Sequence, residues 1–298
     1  MRPSSLFVLA SLCATACGTT PPAPEPERAA QRIAPPAAES PVDRVLDIPA
    51  RDQAPERPET GWCAETAIQE AMLYFGAYAP QRDINRAGSP RNPDLYWDDV
   101  PVALDALGLE STRWSGRGGQ SKFTAWVRER LHDGHPVIAG VKLYPTEHPR
   151  WGLDHIVLIV GAEKTGALLI NTTWGWRTRR SKSELASTDE GISLANRSGR
   201  QFAYAVTGFS SERPWPRVRL RVVGESKSAI EAEVHATGLI EGSRYELRRI
   251  DSAGDVVARE TFEAGATSDI FPVALDPGEP AQFEVHPRRA RSSAEDSR

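Results

Sequence analysis

Cys63, His155 and Asn171 are the residues in this chain whose types and spacing offer covalent chemistry. A cysteine attacks a carbonyl as its thiolate, needs a base to take its proton, and the base needs a third group to fix its tautomer. Cys63 stands in Gly61-Trp62-Cys63-Ala64-Glu65-Thr66, and Ala64, Ala67, Ile68, Ala71, Met72 and Phe75 follow at three- and four-residue steps. That step is the period of one buried helix face, and Gly76 supplies a left-handed stop. Cys63 is therefore expected at the first turn of a helix aimed into a core. Unpaired N–H groups and the positive end of the helix dipole favour a thiolate there, so a depressed thiol pKa is expected. Glu65 and Glu70 fall on the polar side of this helix and are expected to be solvated.

Six histidines could serve as the base. His235 and His286 belong to the C-terminal stretches, His132 to a helix end, His135 to a strand start and His148 to a loop among prolines. His155 opens the run Ile156-Val157-Leu158-Ile159-Val160-Gly161, so a rigid strand would fix its ring. The next strand, Ala167 to Ile170, ends in Asn171-Thr172-Thr173-Trp174-Gly175. A two-strand hairpin brings the start of its first strand beside the end of its second. His155 and Asn171 should be neighbours, with the Asn side-chain oxygen accepting from the imidazole. The basic run Arg177, Arg179, Arg180 and Lys182 is read as a solvated loop or, more sharply, as a rim that holds substrate carboxylates. The glycines of Gly116-Arg117-Gly118-Gly119 lack the lysine and spacing of a phosphate-binding loop and read as a turn. No His/Cys/Asp/Glu grouping has metal-ligand spacing, so neither metal nor cofactor is expected.

These residues need elements to place them. A polar connection runs from Gln81 to Pro93. A second helix follows behind Asp99, with Val100, Ala103, Leu104 and Leu107 on one face, and a third opens at Ser121 with Phe123, Trp126, Val127 and Leu131. The period then changes to strands at His135–Val141, Ile156–Val160, Ala167–Ile170 and Phe202–Val206. Helices followed by strands predict an α+β domain over 59–211, a helical layer on an antiparallel sheet. Beyond Pro214 six short alternating segments, from Val218 to His286, predict a small β-sandwich over 215–288 that folds independently. Residues 289–298 read as a disordered tail.

The N-terminus carries Arg2, an apolar run from Leu6 to Ala16 too short to span a bilayer, and Ala14-Thr15-Ala16-Cys17. This predicts an export signal over 1–17 that resembles a bacterial lipobox, with Cys17 the lipidated residue. Residues 18–58, rich in Pro and Ala, form a spacer. Processing would remove Cys13 and acylate Cys17, leaving Cys63 as the one free thiol of the three cysteines, and an odd thiol in an oxidising compartment calls for a role. A formal charge of −4 gives no reason to expect a nucleic-acid partner.

Gly61-Trp62-Cys63-Ala64, Asp154-His155 and Asn171-Thr172-Thr173-Trp174-Gly175 together resemble the papain-like cysteine peptidases, in particular their bacterial C39-like branch, over residues 59 to 209. The resemblance implies Cys63 as nucleophile, His155 as base and acid, Asn171 as orienter, and Trp174 as a shield over the His–Asn bond. The last motif has one residue more than the family's Asn-Ser-Trp-Gly, which leaves open a shift in which Thr172 takes the place of Asn171. The family sets a Gln about six residues before the cysteine to complete an oxyanion hole. Arg57 stands there in this chain, and Gln53, the nearest upstream Gln, is the candidate. The resemblance implies an exported cysteine peptidase or amidohydrolase, lipid-anchored in the bacterial envelope or secreted, with a peptide or protein substrate. An NlpC/P60- or CHAP-like cell-wall amidase and a non-catalytic papain-like binding module are the alternatives.

Overall fold

The computed structural model describes residues 42–53, 61–89, 93–143, 152–187, 191–194, 200–210, 215–251, 255–278 and 281–288. The export signal with Cys13 and Cys17, the spacer up to residue 41, Arg57, His148 and the tail 289–298 lie outside the described residues.

In chain order the elements are β1 (Val42–Val45), α1 (Cys63–Tyr74), α2 (Gln81–Gly88), α3 (Val100–Ala106), β2 (Leu109–Arg113), α4 (Gly119–His132), β3 (Val137–Val141), β4 (His155–Glu163), β5 (Leu168–Asn171), β6 (Arg177–Arg180), α5 (Lys182–Ala186) and β7 (Ala203–Phe209). Six more strands follow: β8 (Arg217–Glu225), β9 (Ile230–Thr237), β10 (Arg244–Ile250), β11 (Val256–Glu263), β12 (Ser268–Leu275) and β13 (Gln282–Pro287). The fold is mixed α+β with antiparallel sheets.

The first sheet runs β2-β7-β3-β4-β5-β6, with β1 paired to the far end of β4. Every residue of β3 and β4 is buried, as their unbroken apolar runs require of strands covered on both faces. β4 is the spine of the site. It begins at His155 and pairs with β3 on one side and β5 on the other.

Helix α1 packs against β4 and is buried almost all round, Ala64 through Met72. This corrects the expectation that Glu65 and Glu70 are solvated. Both are fully buried because α1 is a central helix rather than a surface one. Its polar side is met by protein groups: Glu65 accepts from Asn85 Nδ2 (2.8 Å) and Leu95 N (2.9 Å), and Glu70 from Arg51 N (2.7 Å). Gln69 donates to the Ala79 carbonyl at 2.7 Å. The stretch expected as a polar connection contains α2, a helix anchored by fully buried Ile84 and by Gln81, which donates to the Asp52 carbonyl. Strands β2 and β6 also escaped the sequence pattern, since both are largely exposed and polar.

The C-terminal strands form two three-stranded antiparallel sheets, β11-β10-β13 and β12-β9-β8. Val234, Tyr245, Leu247, Phe271 and Val285 make a core separate from the first. The junction between the two parts is nonetheless closely bonded. Val218 N donates to the Gly76 carbonyl at 2.8 Å, and Trp215 Nε1 to the Leu107 carbonyl at 2.6 Å. The Tyr78 ring stacks on His286, centroids 3.8 Å apart, and Arg51 forms an ion pair with Glu284. Gly76 has φ +81°, and a Cβ there would lie 2.5 Å from the Val218 carbonyl oxygen, so only glycine allows this backbone approach. The strands were legible in the sequence; the extent of this junction was not.

Candidate active site

Cys63 is the first residue of α1, and the preceding Trp62 provides no side-chain cap for the first-turn N–H groups. It lines a cleft of about 1560 Å³ together with Gln53, Asp94, His155 and Trp174. Trp62 holds the cleft's helical wall, its Nε1 donating to the Pro93 carbonyl at 2.7 Å. The backbone N–H groups of Ile156 and Ala64 reach the sulfur and favour its anion. Burial outweighs them, and with the nearby carboxylates Glu65 and Asp94 the thiol is pushed up to about 12. The expected depression is thus reversed. A helix N-terminus contributes only a fraction of a charge, whereas desolvation acts on the whole thiolate.

His155 is buried at the mouth of β4, and its ring nitrogen Nε2 lies 3.1 Å from the Thr172 carbonyl oxygen and 3.2 Å from Thr173 Oγ1. A carbonyl only accepts, so the proton sits on Nε2 and Nδ1 carries the lone pair of a base. Burial lowers the imidazole pKa, opposed by the Thr172 bond and by Asp154, so a neutral ring is favoured. Asp154 is itself committed, to Lys142 Nζ at 2.7 Å and Leu143 N at 2.6 Å. Trp174 lies flat over the imidazole, centroids 4.5 Å apart and planes 15° from parallel.

Asn171 does not bond His155. It is completely buried, donates to the Ile48 carbonyl at 3.1 Å and accepts from Arg177 Nε at 2.8 Å. The assignment of Asn171 as orienter is corrected on register: Asn171 pairs with Leu158 across the hairpin, three residues along β4 from His155. The chain must continue past the strand end before it meets the ring, and the group it presents there is a main-chain carbonyl. Thr172 does take the place of Asn171, but through its backbone. Its Oγ1 donates to the Trp176 carbonyl at 2.8 Å.

Thr173 is the one non-glycine residue with positive φ (68°) among the described residues. A β-branched residue held there stores roughly 1–3 kcal/mol of backbone strain. The conformation turns the Thr173 hydroxyl to His155 while its carbonyl accepts from Gln53 N at 2.8 Å.

That last bond brings Gln53 into the site. Its amide head would lie 3.2 Å from a Cβ at Gly61, two residues before the cysteine, and Gly61 has φ +59°. Gln53 belongs to a strap that also meets the site elsewhere: Gly175 N donates to the Arg51 carbonyl, and Asp52 bridges to Trp174.

No family model and no curated protein matches this chain. Chemistry therefore has to be read from the geometry. The basic run is not a cleft rim. It forms β6, with Arg177 on Asn171, Arg179 on both oxygens of Glu163 (2.6 and 2.7 Å) and Arg180 on Glu184 (3.1 Å). Among the described residues no group of three His, Cys, Asp or Glu could hold a metal ion. Sequence reasoning missed Asp94, Thr173 and Gln201 at the cleft. A main-chain carbonyl such as that of Thr172 leaves no residue-type signal to find.

Proposed function

We propose that this protein is a papain-like cysteine hydrolase of peptide or amide bonds, with a Cys63–His155 dyad oriented by the Thr172 carbonyl. The observation that carries it is the pinned imidazole. Nε2 is held by Thr172 and the face is covered by Trp174, and His155 shares one cleft with a cysteine at a helix N-terminus. As the Cys63 sulfur bonds to the substrate carbonyl carbon, its proton passes to His155 Nδ1. The developing oxyanion is received by the Cys63 backbone N–H and the Gln53 amide. His155 then protonates the leaving amine, and the C–N bond breaks to leave a thioester. Water, deprotonated by His155, attacks the thioester and returns the thiol. The raised thiol pKa fits proton transfer concerted with attack, rather than a resting ion pair. No cofactor enters this scheme.

The lipobox-like stretch ending in Cys17 supports a place for this hydrolase in the bacterial envelope, anchored through Cys17 or secreted, acting on peptide or protein. A papain-like binding module without turnover is the second reading, favoured by the proton held on Cys63.

The test is incubation of the folded protein with a peptidyl acyloxymethyl ketone, followed by intact mass. One adduct on Cys63, lost in His155→Ala, is expected. Labelling of only the unfolded chain would leave the binding module.

A further inference from the structure

Away from the thiol, the cleft changes character. Its lining includes Arg113 at the end of β2, Arg117 in the loop that follows, and Arg200 ahead of β7, all exposed. Among the described residues neither Arg113 nor Arg117 has an ion-pair partner. Arg113 lies over the Tyr204 ring, 5.8 Å from its centroid, which holds the guanidinium on the wall. Trp97 stands edge-on to Phe202 and is itself half-exposed, giving this end an aromatic shelf.

The same lining carries, among the described residues, buried polar atoms without hydrogen-bond partners. They are Gln53 Oε1, Asp94 Oδ1 and Gln201 Oε1, all acceptors, and the donor Trp114 Nε1. Gln201 as a residue is only 8% exposed. A buried polar atom without a partner costs about 1–3 kcal/mol, and four such atoms, three acceptors and one donor, in the lining of one cleft mark positions that a ligand fills. Three acceptors suit the N–H groups of an extended main chain. The guanidiniums suit carboxylates, which they bind in a fork of two parallel hydrogen bonds.

We propose that the cleft binds an acidic peptide, its main-chain N–H groups on Gln53, Asp94 and Gln201 and a carboxylate on Arg113 and Arg117. The polarity along the cleft sets the direction. The Asp94 carboxylate beside the thiol repels an anionic group from that end, and the arginine wall draws it to the other. The hydrolase reading enters only in placing the scissile bond at Cys63; peptide recognition stands apart from turnover, and the test keeps the two separate.

The experiment is fluorescence polarisation of labelled hexapeptides on full-length Cys63→Ser protein, which binds without reacting. Peptides carrying Glu, Gln or Lys at successive positions are compared, each with a free and an amidated C-terminus. At least tenfold tighter binding of Glu over Lys peptides is expected, narrowing as salt screens the charges. If affinity follows the free C-terminus instead, the carboxylate is the chain-terminal one and the site stands. Arg113→Glu/Arg117→Glu should erase or invert the preference while the thermal midpoint is kept; if that double variant unfolds, the single Arg117→Ala, on an exposed loop, should still lower the Glu-to-Lys ratio. Equal affinities for Glu, Gln and Lys peptides overturn the proposal, and the adduct experiment on wild-type protein then decides the hydrolase reading by itself.

Discussion

The Nε2 of His155 lies 3.1 Å from the carbonyl oxygen of Thr172, so the group that fixes the imidazole tautomer belongs to the main chain. Side-chain replacement at position 172 cannot delete it. What can be changed is the second contact, from Thr173 Oγ1, and the loop that aims both.

Thr173→Val keeps the branched shape and removes only the hydroxyl. One hydrogen bond of this kind contributes about 1 kcal/mol, so the Cys63 adduct rate should fall roughly fivefold to tenfold with little change in thermal midpoint. Asn171→Ala should do the reverse. It strands Arg177 Nε in the core, at a cost of about 1–3 kcal/mol, while the Ile48 carbonyl keeps its bond from Arg177 Nη2 and the imidazole is untouched. A variant of Asn171 that keeps its stability but loses adduct formation would restore the side-chain orienter.

The thiol predicts a pH profile. Burial pushes Cys63 up to about 12 from an ordinary value of 9.0. Alkylation by iodoacetamide, which lacks any peptide to recognise, should therefore be slow at pH 6–7 and still rising at pH 10. A plateau reached below pH 7 would show that the sulfur is ionised at rest and that the His155 cation holds it so.

Two buried carboxyls predict a stability slope. Burial raises Glu65 to about 7 and Glu70 to about 8, both from 4.5. The folded state holds these protons more tightly than the unfolded one. Their contribution is fully present below pH 4.5 and is lost as pH rises through 7 and 8. One pKa unit corresponds to about 1.4 kcal/mol, so the thermal midpoint should drop between pH 5 and 9. Glu70→Gln retains the acceptor for Arg51 N and should flatten that drop; a parallel slope in the variant would mean Glu70 ionises freely. Glu184, lowered to about 2 by Ser181 and Arg180, works at the opposite end, where its contribution disappears as pH falls from 4.5 through 2.

The C-terminal sheets should matter to the cleft. Arg51 is paired with Glu284 on β13, while its backbone meets Glu70 and Gly175. Glu284→Ala should slow adduct formation by loosening the strap that ends in Gln53, and lower stability by about 1.5–3 kcal/mol, the range for hydrogen bonds to charged groups. A chain cut at residue 210 should lose more, because Tyr78 and the Gly76 backbone are uncovered as well. Full reactivity in both would return the C-terminal part to the independence expected from its alternating strands.

Strand and helix positions were largely legible because burial writes a period into the sequence. Val137–Val141 and the run after His155 are continuous apolar stretches, and Cys63, His155 and Trp174 were readable as one constellation. Gln53, singled out by its residue type, lines the same cleft as Cys63. What stayed hidden was set by neighbours distant in sequence. Glu65 and Glu70 occupy a polar helix face covered by α2, the Leu95 loop, the Arg51 strap and Asn171. Asn171 was misplaced because it pairs with Leu158, three residues along β4 from His155, and residue types cannot say whether a side chain or a carbonyl reaches the ring. The basic run was misread for a similar reason, since the partners of Arg179 and Arg177 lie on other strands.

The Arg51–Glu284 ion pair joins residues 233 positions apart. Synthesis proceeds from the N-terminus, at roughly 5–20 residues per second, so the strap bearing Gln53 emerges before anything it can dock on. Its first supports, Glu70 and the Thr173 carbonyl, come next, and its last partner arrives only with β13. The strap is therefore tied down last by β13, and a chain still being made holds Cys63 and His155 before Arg51 has its ion-pair partner.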